Sequence, residues 1–216
     1  MTRYETVSEA GSRTGVVLAG GRSVRFGEDD KALARFEGET LLARVVDRVG
    51  AVTDGVLVSC RAAQRRPFLR VLSDRPTGVC TVADPVDDGG PVVGLAAALR
   101  CCRAPTVVVV ACDNPLASPA FLDALCAGLA GHDGVVPYVG GTLRPLQAAF
   151  KREALESACL DSLADGERSV HEVLARLDLL VVRPSALPVD VADRSFTDVN
   201  TRETLGALVR GKRSAR

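Results

Sequence analysis

The chain has 216 residues, of which 47% are hydrophobic, enough for the buried core of one large domain. Its 27 basic and 27 acidic residues cancel, which excludes a global field for nucleic acid or an anionic membrane, so a polyanionic ligand has to be met locally. Seven cysteines without a C-x-x-C pair, most of them inside apolar runs, exclude a zinc or disulfide framework and suit a reduced, cytoplasmic protein.

Residues 1–14 are polar with no apolar targeting core, and no later segment approaches the ~20 apolar residues of a membrane span. "GVVLA" (15–19) predicts a first strand that breaks at Gly20-Gly21. Thr40 then precedes Leu41, Leu42, Val45, Val46 and Val49, the apolar stripe of a helix. "GVLVS" (55–59) predicts a second strand, and residues 72–94 read as loop until Gly89-Gly90-Pro91 leads a helix through Leu95, Ala98 and Leu99. "TVVVVAC" (106–112) is the next strand, followed by Ser118-Pro119 as cap and first turn of a helix through Phe121, Leu122, Leu125 and Leu129. "DGVVPYV" (133–139) predicts another strand, residues 151–163 a helix, and Ser169 with Glu172 a capping box before Val173, Leu174 and Leu177. Continuous β-branched strands are buried on both faces. The expected architecture is therefore α/β in three layers, a mostly parallel sheet with helices on both sides. One domain over 15–210 is expected, with 1–14 and 211–216 as flexible termini.

Three places carry candidate chemistry. Paired glycines at a strand's carboxyl end let backbone N–H groups form an anion site, and Arg22, Arg25 and Lys31 follow them in a long basic loop. A Walker A loop is absent, because Glu28 follows Gly27, and so is G-x-G-x-x-G. Lys31 stands out because arginine supplies 24 of the 27 basic residues, and an ammonium point charge suits phosphate; a solvated surface lysine is the ordinary alternative. Asp113, directly after an apolar strand, faces the ligand crevice of an open α/β sheet and offers a hard oxygen to Mg²⁺, or else simply begins a turn with Asn114-Pro115. Asp84 stands similarly before the Gly89-Gly90 turn. His132 and His171 show no ligand spacing.

Together these stretches carry a resemblance. "LAGGRSVRFGEDDKAL", the Asp84 segment with "GGPVVGLAAAL", "VVVVACDNP", "RPLQAAF" with "DGERSVHEVLARL", and "FTDVNTRETL" follow the order found in molybdenum cofactor guanylyltransferases, and the likeness runs from about residue 15 to 208. The resemblance implies a Rossmann-like nucleotidyltransferase fold related to the sugar-nucleotide transferases. It implies a reaction in which the terminal phosphate of molybdopterin attacks the α-phosphorus of GTP and releases pyrophosphate. Lys31 would neutralise the triphosphate, Asp113 would hold Mg²⁺, and Leu18, Ala19, Gly20, Gly21 and Asp84 would line the guanosine pocket. Arg144, Gln147 and Asn200 would meet the acceptor, although Asn200 with Glu203 also reads as an ordinary helix cap. GTP and molybdopterin are the implied substrates, with transient contact to other molybdenum cofactor proteins and no nucleic-acid or membrane partner. Two positions depart from the family. Arg61 stands where asparagine is common after the second strand, and one extra acidic residue precedes Lys31, with Asp30 preferred over Asp29 as the family's aspartate. Transfer of GMP to adenosylcobinamide phosphate, of CMP to molybdopterin, or plain nucleotide binding are the rival readings.

Overall fold

In a computed structural model, which describes residues 12–22, 26, 30–75, 78–187, 189 and 193–213, strands and helices alternate along most of the chain. Strand β1 (Arg13–Leu18) is followed by the small hairpin β2 (Arg35–Phe36) and β3 (Glu39–Thr40), then α1 (Leu41–Gly50), β4 (Gly55–Cys60), α2 (Arg65–Leu72) and β5 (Gly78–Ala83). Helix α3 (Pro91–Cys101), β6 (Thr106–Ala111), α4 (Pro119–Ala127), β7 (Gly134–Val139), β8 (Thr142–Leu143) and β9 (Gln147–Lys151) come next. Helices α5 (Arg152–Ala164) and α6 (Val170–Leu174), β10 (Leu179–Val182) and α7 (Arg202–Arg213) complete the order.

The main sheet has eight strands in the order β10-β7-β9-β6-β1-β4-β5, with β8 paired to β7. β1 lies at its centre, parallel to both β4 and β6. Val16 and Val17 of β1 point to opposite faces and both are fully buried, as an unbroken β-branched run requires. One face is covered by α1, α2 and α4 through residues such as Val46, Phe68 and Leu122. The other is covered by α3, α5 and α6 through Leu95, Leu155 and Val173. Burial of each large apolar side chain of this kind contributes about 1.5–3 kcal/mol, so the two faces hold the sheet between them.

The caps are those the sequence predicts. Thr40 Oγ1 accepts from Ala43 N at 3.2 Å, Ser118 Oγ from Phe121 N at 3.3 Å, and Glu172 Oε2 from Ser169 N at 3.2 Å. Two expectations are corrected. The 72–94 segment contains β5, a half-exposed edge strand whose short "GVCTVA" run is framed by turn residues. The last helix is capped by Thr201, whose Oγ1 accepts from Thr204 N at 3.1 Å, which leaves Asn200 outside the cap. That helix runs to Arg213. Residues 1–11 and 214–216 lie outside the described residues. Among the described residues, no helix is long and apolar enough to cross a membrane.

β9 gives the sheet its mixed character. It runs antiparallel between β6 and β7, with Gln147 opposite Val110. The carboxyl ends of β1, β4 and β6 therefore share one edge with the amino end of β9, and ligands of open α/β sheets are met at such an edge.

Candidate active site at the carboxyl edge of the sheet

Asp113 enters a tight turn two residues after β6. The turn is held by Asn114 N donating to Ala111 O at 3.1 Å and by Val199 N donating to Asp113 O at 2.8 Å. Lys31 opens a short 3-10 turn whose cap is Asp30. One Asp30 oxygen accepts from Ala32 N at 3.0 Å and the other from the Gln64 side-chain amide at 2.6 Å. Asp30 is thus a positioning residue for Lys31. The Lys31 ammonium lies 3.0 Å from Asp113 Oδ2 and 3.0 Å from Asn200 Oδ1, so side chains 82 and 169 positions away meet at one cation. Lys31 is 13% and Asp113 21% exposed, which excludes a freely solvated lysine and leaves the carboxylate open to a ligand. Both line a recess of about 110 Å³ with Leu18, Ala19 and Gly21. Among the described residues no three His, Cys, Asp or Glu side chains gather as a metal cluster, and two carboxylates, Asp30 and Asp113, line the recess.

The glycine loop is fixed by its carbonyls. Leu18 O accepts from Cys112 N at 3.0 Å, Ala19 O from Gln64 Nε2 at 3.1 Å, and Gly20 O from Arg61 Nε at 3.0 Å. Beside the loop lies a second cavity of about 350 Å³, lined by Gly20, Gly21, Ser59, Arg61 and Asp84, and it shares Leu18 and Gly21 with the recess. Asp84 Oδ1 accepts from Ser59 Oγ at 2.7 Å. Burial raises the Asp84 pKa above the usual carboxylate range, against the opposing effects of the Ser59 hydroxyl and the Arg61 charge. The carboxylate fits only because its neighbours are glycines. A Cβ on Gly20 would lie 2.4 Å from Asp84 Oδ2, and one on Gly94 would lie 2.4 Å from Ser59 Oγ and 2.9 Å from Asp84 Oδ1. Gly94→Ala is expected to lower stability by about 1–3 kcal/mol in urea unfolding, because both partners must shift. An unchanged midpoint would show that the pair has room to move.

The far wall is the Gly89-Gly90 turn. Gly90 has φ of +83°, where a Cβ would also lie 3.3 Å from Arg168 O, and Arg168 Nη1 donates to Gly89 O at 3.3 Å. Asp88 in the same turn is paired with Arg22 of the glycine loop.

The expected acceptor residues separate. Arg144 pairs with Asp198 at 2.8 Å, and Asn114 Nδ2 donates to the same carboxylate at 2.6 Å, so Asp198 ties the Asp113 turn to the β8–β9 connection. Gln147 is only 2% exposed and its amide donates to Ser195 O at 3.2 Å, which withdraws it from any open surface. Asn200 is in the cluster through Lys31. Arg25 lies outside the described residues. Gln64, Ser59, Asn114, Asp198 and Arg168 were not singled out by the sequence, although Asn114, Asp198 and Arg168 stand inside the stretches that carry the family resemblance. Five of the seven cysteines are buried, and burial pushes the Cys112 thiol, next to Asp113, up to about 12, which makes it packing material rather than a nucleophile.

Residues 15–180 match the MobA-like NTP transferase domain. A probable molybdenum cofactor guanylyltransferase of Natronomonas pharaonis is 34% identical over 196 residues, covering 90% of this chain and 96% of the relative. The molybdenum cofactor guanylyltransferase of Pseudomonas putida is 31% identical over 191 residues, covering 88% and 94%. Among solved structures, molybdopterin-guanine dinucleotide biosynthesis protein A from Archaeoglobus fulgidus superposes with a TM-score of 0.75 at 24% identity, over 93% of this chain and 99% of that one. 4-Diphosphocytidyl-2C-methyl-D-erythritol synthase from Anaerococcus prevotii does so with a TM-score of 0.72 at 12% identity, over 94% and 98%, so the architecture alone does not choose a base. The glycine loop, Lys31, Asp84 and Asp113 all fall within the matched span and meet at one sheet edge, and the chain belongs to the MobA-like NTP transferase family.

Proposed function

We propose that this protein transfers GMP from GTP to molybdopterin. The terminal phosphate oxygen of molybdopterin attacks the α-phosphorus, the bond from that phosphorus to the oxygen bridging to the β-phosphate breaks, and pyrophosphate leaves with the electron pair. The observation that carries the reading is the Lys31–Asp113 pair, 3.0 Å apart, in a recess that shares Leu18 and Gly21 with the Asp84 cavity. A base held beside Asp84 would place its triphosphate toward Lys31. The names of relatives at 31–34% identity along about nine tenths of the chain support the choice of nucleotide and acceptor.

Phosphoryl transfer of this kind needs in-line positioning and neutralisation of charge, and the attacking phosphate is already anionic, so no activated hydroxyl, thiol or strong base is required. Lys31 contributes a fixed positive charge to the phosphates. Asp30 and Gln64 hold Lys31 in place, and Asn200 presents the acceptor side. Asp113 would hold Mg²⁺ jointly with the substrate phosphates, since Mg²⁺ takes one or two carboxylates and completes its shell from substrate and water; bound there, the ion would add charge neutralisation. Each oxygen of Asp30 already accepts a hydrogen bond, whereas at Asp113 it is Oδ2 that meets Lys31, which favours Asp113 through Oδ1 as the ligand. Cysteines that are mostly buried and form no disulfide among the described residues suit the cytoplasm. Transfer of the product to other molybdenum cofactor proteins is the partner contact this chemistry calls for.

The test is kcat/KM for GTP, CTP and ATP with Mg²⁺, using molybdopterin and adenosylcobinamide phosphate as acceptors in parallel, with mass analysis of the product. GTP with molybdopterin is expected to win, because each unpaired buried donor or acceptor on a wrong base costs about 1–3 kcal/mol. Preference for CTP, or product only on the cobinamide, would overturn the assignment.

A further inference from the structure

Arg61 is the first residue after β4, and its backbone N–H donates to Gln64 Oε1 at 2.8 Å while Nε donates to Gly20 O at 3.0 Å. The backbone is therefore fixed at one point and the guanidinium, through Nε, at another. Among the described residues its terminal nitrogens make no hydrogen bond, and the residue lines the same cavity as Asp84. Arg61 and Asp84 make no ion pair with each other, although each feels the other's charge. A donor and an acceptor thus line one cavity, unsatisfied by each other and close to the glycine loop. A third party with an acceptor beside donors would complete them.

The Watson–Crick edge of guanine, a 2-amino-6-oxopurine, has that order: the 6-oxo group accepts, and N1–H and the 2-amino group donate. Adenine reverses the first two, setting its amino group against a guanidinium and its bare N1 against a carboxylate. Cytosine offers one donor group to Asp84 where guanine offers two. We propose that Arg61 is a base-reading residue, donating from its terminal nitrogens to the 6-oxo group of guanine while Asp84 accepts from N1–H and the 2-amino group. The inference rests on GTP as the nucleotide. It gives the family's departure at this position a role in choosing the base, beyond support of the Gly20 carbonyl.

The experiment compares GTP, ITP and the 2-aminopurine riboside triphosphate on wild type and Arg61→Ala, by kcat/KM and by equilibrium binding without acceptor. ITP keeps the 6-oxo group, and the 2-aminopurine nucleotide lacks it. Arg61→Ala is expected to reduce the preference for GTP over the 2-aminopurine nucleotide by about ten- to a hundredfold, and the preference for ITP over it by a similar factor. A purely supporting role through Gly20 would weaken all three nucleotides equally and leave the ratios unchanged, which would overturn the proposal. Should the alanine variant not fold, Arg61→Met keeps the stem and carries the same comparison. If wild type itself binds GTP no better than ATP, the guanylyl reading fails first; if wild type prefers GTP and the ratios survive in the variant, only the role of Arg61 fails.

Discussion

Asp113→Asn is expected to lower turnover by about 10²–10³-fold, with partial recovery at raised Mg²⁺ or with Mn²⁺. The amide keeps the size of the side chain and retains an oxygen for the Lys31 ammonium, now 3.0 Å from Oδ2, so the turn is expected to survive. What it removes is the negative charge that would attract a hard cation. The same change takes a carboxylate away from the recess proposed to receive the triphosphate. Metal-free binding of GTP should therefore hold or tighten while catalysis collapses, a split between binding and turnover that a misfolded turn would not produce. Steady-state rates across a Mg²⁺ titration, with GTP binding measured in chelator, read both effects. Near-wild-type turnover would return Asp113 to an ordinary turn aspartate.

Lys31→Ala should remove about 2–4 kcal/mol of transition-state stabilisation, the scale of losing one preorganised electrostatic donor, and added metal should not restore it. Lys31→Arg should rescue poorly, because a broad planar fork replaces a point charge in a recess of about 110 Å³. The cluster around it has independent supports. Val199 N still reaches Asp113 O at 2.8 Å, and Asp198 still holds Asn114 and Arg144, so thermal unfolding should move little while the rate falls. Full recovery of the alanine variant by Mg²⁺ would show that the lysine acts only by placing the metal.

The strands that were legible in the sequence are those whose own side chains demand burial on both faces. Val107 to Val110 can sit nowhere else, and β1, β4 and β7 follow the same logic. β9 offers two alanines and a phenylalanine, "QAAFK", and its place between β6 and β7 comes from the long-range pairing of Val107 with Phe150 and Val108 with Ala149. That pairing also explains Gln147. A glutamine in a polar connection reads as exposed, yet the inserted antiparallel strand carries it under the Ser195 carbonyl. Lys31, Asp84 and Asp113 were legible for a different reason, since a scarce lysine and carboxylates at the ends of apolar strands are conspicuous without coordinates. Asn200 was harder: asparagine and threonine both cap helices, and no local chemistry tells which of Asn200 and Thr201 will do so. Choosing Asp30 over Asp29 rested on adjacency to Lys31, and Asp30 does cap that turn.

The central position of β1 bears on how the protein is made. β4 is synthesised early and can cover one edge of β1, but the other edge waits for β6, about fifty residues later, roughly several seconds at ribosomal rates. Through that interval one edge of a β-branched strand stands unpaired, the state in which nascent chains most readily pair with one another. Lys31 must then wait for residue 200 before its last partner exists. A nascent chain halted near residue 190 would hold nearly all of the sheet and both sides of the base cavity. It would lack Asn200, so the cluster around the Lys31 ammonium closes only after the last strand of the sheet has been made.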